Sequence, residues 1–286
     1  MTTIEKIIQK KKMLLSLGVY DSLSAKIAEE AGFEAIFLSG YSVAASSLGV
    51  PDIGLLTQTE MIDTARRVCQ AARIPVIVDA DTGYGGIPNV VRTVRELIAL
   101  GAKGCFLEDQ LWPKKCGHMS GKKVIPKEEH VRKIRAAIEA RGKADFFIVA
   151  RTDAREANQS LADAIDRALA YKKAGADGIF VEAPQSKQEL LEISRKLKPP
   201  FVANMLEGGV TPLLEKEKLQ KLGFKIAVYP LTGIFAVAKT LREVFGHLRK
   251  YGNTHDIMDK LLTFHDFHEI VGLEEFKSMD KKYGVK

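Results

Sequence analysis

No hydrophobic stretch in this chain of 286 residues approaches the ~18–20 consecutive apolar positions that a bilayer-spanning helix needs. Cysteine is scarce. Cys69, Cys105 and Cys116 are odd in number and lack the paired spacing of a zinc site or a disulfide framework, which fits a reducing compartment. The opening residues Met1-Thr2-Thr3-Ile4-Glu5-Lys6 carry no apolar signal region, so the expected location is the cytoplasm. No stretch interleaves basic and aromatic residues as nucleic-acid modules do, and the lysines behind the net charge of +7 scatter along helical segments such as Lys10-Lys11-Lys12 and Lys196-Leu197-Lys198. Neither nucleic acid nor membrane is an expected partner. Basic groups near a pocket suit a small anionic substrate, a carboxylate first.

What the chain does have is alternation. Short apolar runs read as strands near Leu14–Val19, Ala35–Ser39, Pro75–Ala80, Gly104–Glu108, Phe146–Ala150, Gly178–Glu182, Phe201–Asn204 and Lys225–Tyr229. Helical patterns lie between them: Ser22–Ala31, Thr59–Ala72, Asn89–Leu100, Lys127–Ala140, Ser160–Ala174, Lys187–Leu197 and Leu213–Leu222. Eight strands alternating with helices is the count of a (β/α)8 barrel of the triosephosphate-isomerase type, in the α/β class. The expected organisation is one barrel domain over residues 1–286, with 234–286 as a C-terminal helical extension. That extension contains Leu261, Leu262, Phe264, Phe267, Ile270, Val271 and Phe276, whose apolar face would be buried on another subunit. Ser39, Asp79, Asp81, Glu108, Arg151, Glu182 and Asn204 all stand at or just after strand C-termini, the end on which such barrels build active sites.

The chemistry centres on Lys114-Lys115-Cys116-Gly117-His118. A cysteine between cations on a glycine-bearing loop is expected to ionise readily and to trade protons near neutral pH. The segment Trp112–Lys127, with Pro113, Gly117, Gly121 and Pro126, reads as a lid that excludes water and delivers Cys116. His118 either moves a proton or orients a carboxylate. Asp79, Asp81 and Glu108 offer oxygens suited to Mg²⁺, for which Mn²⁺ may substitute, or else form ion pairs with Lys114 and Arg151. Arg151 has the fork to clamp a carboxylate, and the glycine of Ser39-Gly40-Tyr41 allows backbone N–H groups to approach another. Metal, clamps and a mobile acid together favour an enolate-like intermediate.

At Ser39-Gly40-Tyr41, Leu48-Gly49-Val50-Pro51-Asp52, Asp79-Ala80-Asp81-Thr82-Gly83, Glu108-Asp109-Gln110, Lys114 to His118 and Ala150-Arg151-Thr152-Asp153-Ala154, the chain resembles the isocitrate lyase/phosphoenolpyruvate mutase superfamily over nearly its whole length. Lys-Lys-Cys-Gly-His resembles its lyase branch. The resemblance implies that Asp81 contacts Mg²⁺, with Asp52, Asp79 and Glu108 helping directly or through waters. It implies that Ser39, Gly40 and Arg151 hold a pyruvate portion, that Glu182 and Asn204 line the pocket, and that Cys116 protonates the departing fragment; Tyr41, Gly117 and His118 are further expected substrate contacts, and Lys114 an expected catalytic neighbour of Cys116. Tyr41, His118 or a water on the metal beside Glu108 would be the base. It also implies a homotetramer, a dimer of dimers with the eighth helix exchanged between subunits. Phe37, where methylisocitrate lyases carry tyrosine, and Asn204-Met205-Leu206-Glu207-Gly208-Gly209 look more like the 2-alkylmalate lyases. Pro230-Leu231-Thr232 lacks the serine of oxaloacetate-hydrolysing relatives. The implied reaction is cleavage of 2,3-dimethylmalate to pyruvate and propionate. The alternatives are 2-methylisocitrate cleavage, and, behind it, carboxyphosphonoenolpyruvate or phosphoenolpyruvate mutase chemistry and oxaloacetate decarboxylation.

Overall fold

The computed structural model describes residues 1–284. Eight strands, β1 (Leu14–Val19), β2 (Ile36–Leu38), β3 (Val76–Asp79), β4 (Gly104–Glu108), β5 (Phe147–Thr152), β6 (Gly178–Val181), β7 (Phe201–Asn204) and β8 (Ile226–Tyr229), pair in parallel, each with the next. The barrel closes where Leu14 to Leu17 of β1 register against Ile226 to Tyr229 of β8. All eight fall where the apolar runs place them.

The helices are α1 (Thr3–Lys11), α2 (Ser22–Glu30), α3 (Gly40–Val43), α4 (Gln58–Ala71), α5 (Ile87–Ala99), α6 (Lys127–Arg141), α7 (Ala154–Ala157), α8 (Leu161–Lys173), α9 (Lys187–Lys196), α10 (Lys216–Lys221), α11 (Thr232–Tyr251), α12 (Phe264–Val271) and α13 (Leu273–Tyr283). Helix α10 is shorter than the expected Leu213–Leu222. Leu214 is buried with its N–H on the Met205 sulfur, which holds the preceding residues out of helix. Beyond α11, the expected C-terminal helical extension is broken into a 3-10 turn, α12 and α13, the last two meeting at Gly272 in a left-handed conformation.

Two apolar clusters follow from the period-two alternation of strand side chains. One fills the layer between strands and outer helices. The other occupies the barrel interior and includes Phe37, Ile77, Phe106, Val149, Phe180 and Val202. Phe106 packs on Phe37 at 4.7 Å and on Phe180 at 5.6 Å between ring centroids. Each buried ring contributes about 1.5–3 kcal/mol relative to exposure. Helix α1 joins this inner cluster through Ile4 and Ile8, and its start is fixed by a capping box between Thr2 and Glu5.

The inner cluster sets the site. Two residues beyond Phe37, Ile77, Phe106, Val149, Phe180 and Val202, on the same inward face, stand Ser39, Asp79, Glu108, Arg151, Glu182 and Asn204. The polar layer is therefore the next step of the pleat above an apolar floor, at the C-terminal mouth of the barrel.

Candidate active site

The carboxylates come first. Asp79 accepts the Gly40 N–H on Oδ2 at 3.3 Å and the Asp81 N–H on Oδ1 at 3.2 Å, so it organises the loops after β2 and β3. Asp81 follows with φ of 45° and Tyr84 with 59°, left-handed values that cost a non-glycine residue about 1–3 kcal/mol each. Lys133 of α6, not foreseen from the sequence, braces this loop with Nζ on the Thr82 carbonyl at 3.1 Å.

Lys114 does not face Cys116. Its buried ammonium lies between Asp52 Oδ1 at 2.6 Å and Asp81 Oδ1 at 2.7 Å. Burial lowers its proton affinity, but Asp81, Asp52 and Glu108 outweigh that and raise it well above the ordinary lysine value. Burial pushes the Asp81 carboxyl up to about 7 despite Lys114, and Asp79 and Asp52 add to the rise. Glu108 is raised well above the usual carboxylate range, again first by burial. Asp81 Oδ2 and Glu108 Oε1 are buried without any hydrogen-bond partner. Among the described residues, no three of Asp52, Asp79, Asp81 and Glu108 bring oxygens within 4.8 Å of one another. Mg²⁺ needs only one or two carboxylates and fills its remaining positions with water. Orphaned oxygens on Asp81 and Glu108, held near unfavourable ionisation, fit such an ion.

Arg151 stands on the opposite side. The expectation that its fork is free for a substrate carboxylate is corrected. Nε and Nη2 already grip both Asp153 oxygens, at 2.8 and 2.9 Å. Glu108 and Glu182 lie at 3.4 and 3.6 Å from Nε, and the Phe180 ring is 5.2 Å beneath. Asp153 was passed over in the sequence although it is one pleat step beyond Arg151. Its N–H is held by Asp109, which also accepts from Thr152 Oγ1 and the Tyr171 hydroxyl in the strand–helix layer.

His118 is engaged on both nitrogens. Nδ1 accepts the Val210 N–H at 3.0 Å, which leaves the proton on Nε2, 2.9 Å from Glu182 Oε1. Asn204 Nδ2 donates to Glu182 Oε1 at 3.2 Å. Burial alone would raise Glu182, but Arg151 and His118 overcome it and hold the carboxyl at about 2. Gly209 permits the approach of His118, since a Cβ there would sit 2.5 Å from Nδ1; nothing in the sequence marked it.

The lid is seated in the mouth. A Cβ on Gly117 would lie 2.4 Å from Arg151 Nη2 and 2.5 Å from Glu182 Cδ. Cys116 does not have the acidic thiol expected of its neighbours. Lys114 is turned to the carboxylates, and Lys115 reaches toward the Ser120 carbonyl at 3.5 Å. Burial pushes the thiol up to about 11, with Asp52 and Glu182 adding and the His118 N–H and Arg151 opposing. At neutral pH it therefore carries its proton rather than standing as a thiolate.

Ser39 caps α3, its Oγ accepting the Ser42 N–H, and Gly40 turns its bare face to Asp79, where a Cβ would be 3.1 Å from Oδ2. The Gly40 N–H expected to meet a ligand is thus already bonded. Ser39, Tyr41, Cys116, His118, Arg151 and Asn204 line one small cavity of ≈ 40 Å³ together with the carboxylates Asp52 and Asp79 and the apolar Phe37, Phe106, Phe180, Leu206, Val228 and Leu231. Burial, then Cys116 and Asp52, raise the Tyr41 phenol above its ordinary value.

Set beside known proteins, residues 4–249 match the family described as phosphoenolpyruvate phosphomutase. The chain is 50% identical to the petal death protein of Dianthus caryophyllus over 99% of its own length and 89% of that protein's. It is equally 50% identical to the chloroplastic carboxyvinyl-carboxyphosphonate phosphorylmutase of Arabidopsis thaliana (99% and 84%), and 43% identical to the 2,3-dimethylmalate lyase of Eubacterium barkeri (99% and 97%). Among solved structures it resembles an oxaloacetate acetylhydrolase bound to 3,3-difluorooxalacetate (TM-score 0.93, 32% identity, 100% and 97% covered) and a 2,3-dimethylmalate lyase (0.91, 31%, 99% and 95%). The names attached to one architecture are thus those of lyases, a hydrolase and a mutase.

Proposed function

We propose, from the premise that this chain belongs to the phosphoenolpyruvate phosphomutase family, that it is a Mg²⁺-dependent carbon–carbon lyase cleaving a substituted malate, 2,3-dimethylmalate first, to pyruvate and propionate. The observation that carries the reading is the lining of the cavity. Arg151 is its one lysine or arginine and is already gripped by Asp153, while Phe37, Phe106, Phe180, Leu206, Val228 and Leu231 make much of the lining apolar. Methyl groups suit such a lining. The third carboxylate of 2-methylisocitrate would find no second lysine or arginine there, and a buried unpaired carboxylate is costly.

Asp81, with Asp52, Asp79 and Glu108 beside it, would hold Mg²⁺, which when bound supplies positive charge to the hydroxyl and carboxylate oxygens of the pyruvate half. Mn²⁺ would serve in its place. Ser39, Tyr41 and the part of Arg151 that Asp153 does not grip orient that half, and Gly40, its N–H on Asp79, leaves room for it beside Ser39. The 2-hydroxyl loses its proton, the C2–C3 bond breaks, and the electron pair passes to the second fragment as an enediolate. Cys116 gives its proton to the carbon of that fragment, which leaves as propionate. His118 is not free to be the base, since Nδ1 already accepts and Nε2 carries the proton directed at Glu182. The hydroxyl proton goes to water beside Glu108; Tyr41, whose raised phenol keeps its own proton, can only hold the hydroxyl in place, and Tyr41→Phe tests that division. The lid, with Gly117 against Arg151 and Glu182, excludes water from the enediolate and must lift to admit substrate.

Helix α11 is exposed along most of its length, with only Val244 buried, although it carries Phe235, Leu241, Phe245 and Leu248. That bare apolar face suits a second copy of the chain, in a dimer of dimers that exchanges this helix. No helix among the described residues is long and apolar enough to cross a membrane.

The experiment is pyruvate release from 2,3-dimethylmalate, followed by coupled NADH oxidation, with Mg²⁺ and then with excess EDTA. Turnover that EDTA abolishes and Mg²⁺ restores is expected. Turnover untouched by EDTA would remove the metal from the account.

A further inference from the structure

One cation inside the lid has no place in the chemistry above. Lys122 has a fully buried side chain, and its ammonium is 2.5 Å from the Gly117 carbonyl, 2.7 Å from that of Met119 and 3.2 Å from Glu156 Oε2. A lysine has three N–H donors; two carbonyls take hydrogen bonds from this one, and the Glu156 carboxylate pairs with it as a charge. The carbonyls belong to the turn that carries Cys116, Gly117 and His118. The carboxylate belongs to α7, just after the strand bearing Arg151. Glu156 also accepts the Gly121 N–H on Oε1 at 3.2 Å, so a single barrel-rim carboxylate grips the tip of the lid twice.

The base of the lid is pinned without Lys122. At one end the Ile125 N–H donates to the Asp109 carbonyl at 2.8 Å, and Arg167 Nη1 donates to the Ile125 carbonyl at 2.8 Å. At the other the Gln110 amide donates to the Lys115 carbonyl at 2.8 Å and accepts the Lys115 N–H at 2.9 Å. What Lys122 fixes is therefore the tip. Burying an ammonium costs several kcal/mol unless its donors are matched, and an apolar side chain of equal length would avoid that cost while leaving both carbonyls unmet.

We propose that Lys122 is the positioning residue of the lid: its ammonium gathers the Gly117 and Met119 carbonyls into the turn that aims Cys116 at the site, and its pair with Glu156 latches that turn to the barrel rim. When the lid lifts, the Lys122–Glu156 and Gly121–Glu156 contacts part together. The idea rests on the lyase reading only for what Cys116 does there. The latch itself is a statement about access.

The test uses the whole protein without substrate. Iodoacetamide labelling is followed at each cysteine by peptide mass mapping, as a rate profile from pH 7 to pH 11, in wild type, Lys122→Met and Glu156→Gln. The thiolate reacts, so a change in thiol acidity moves the bend of the profile near pH 11, whereas a change in access raises the rate at every pH and leaves the bend in place. Lys122→Met should raise the Cys116 rate about tenfold across the profile, equivalent to roughly 1.4 kcal/mol of closure, with the bend unmoved and Cys69 unchanged. Glu156→Gln should raise it less. Trp112, the chain's only tryptophan, packs on Tyr84 at the base of the lid and should keep its emission. An unchanged Cys116 rate in Lys122→Met, or a rise shared equally by Cys69, overturns the proposal. If Lys122→Met does not fold, Glu156→Gln decides in the same way: a Cys116-specific rise supports the latch, and no rise overturns it. Absence of pyruvate from wild type would sink the lyase reading and leave the labelling result standing.

Discussion

Replacing Gly117 with alanine isolates lid closure from chemistry. Gly117 does not use the left-handed backbone region, so alanine fits its conformation and the effect is steric. The new Cβ would stand 2.4 Å from Arg151 Nη2 and 2.5 Å from Glu182 Cδ. Neither neighbour can step aside cheaply: Arg151 is gripped by both oxygens of Asp153, and Glu182 is held by His118 and Asn204. The loop must lift instead. Overpacking of this kind costs about 1–3 kcal/mol. The cost falls on the closed lid alone, because an open loop has no clash, so the closed-to-open ratio should fall roughly 5–150-fold. The expected result is a loss of that size in kcat/KM for 2,3-dimethylmalate, with the calorimetric midpoint within a degree or two of wild type. Turnover within twofold of wild type would refute the reasoning, since the lid would then not need to seat between those two side chains.

Four further outcomes follow from the same geometry. Cys116→Ser should keep the fold and lose about 10²–10⁴ in kcat, the usual worth of a positioned general acid; full turnover would show that another group supplies the proton. With the thiol at about 11, the donor form persists across neutral pH, and any alkaline limb belonging to it should appear only as pH approaches that value. Glu182 is held at about 2, below its unfolded value of ~4.3. Its ionised form therefore stabilises the fold above the unfolded value, and that contribution is lost as pH falls through the folded one. In urea titrations the advantage of wild type over Glu182→Gln should shrink from pH 5 toward pH 2, and an advantage that grew would reverse the sign. Equilibrium sedimentation should give four copies per particle, and Phe245→Asp, on the bare face of α11, should lower that number; a wild-type monomer would end the helix-exchange proposal.

The barrel was legible because parallel strands buried on both faces are nearly continuous apolar runs, and the site because its polar residues are the next inward step of the pleat. Helix α1 was legible but unread: Thr2-x-x-Glu5 with Ile4 and Ile8 is a capping box ahead of an apolar stripe. Side-chain direction on the lid was not legible. Lys114 and Lys115 flank Cys116 in sequence, yet one ammonium points to Asp52 and Asp81 and the other to the Ser120 carbonyl, so adjacency in the chain gave no field at the sulfur. Burial therefore raises the Cys116 thiol with no lysine to offset it, against the acidity expected of its neighbours. Arg151 was read as a free clamp because Asp153 could not be seen to occupy its fork. Lys122 and Glu156, thirty-four positions apart, meet only once the lid has folded onto the rim.

The central claim is the substrate class, and a direct comparison of kcat/KM for 2,3-dimethylmalate and 2-methylisocitrate under saturating Mg²⁺ tests it. The apolar share of the lining, Phe37, Leu206, Val228 and Leu231 among it, predicts a clear preference for the dimethylmalate, because the third carboxylate of its rival meets no lysine or arginine besides Arg151. A preference for 2-methylisocitrate, or pyruvate from neither, would contradict the account.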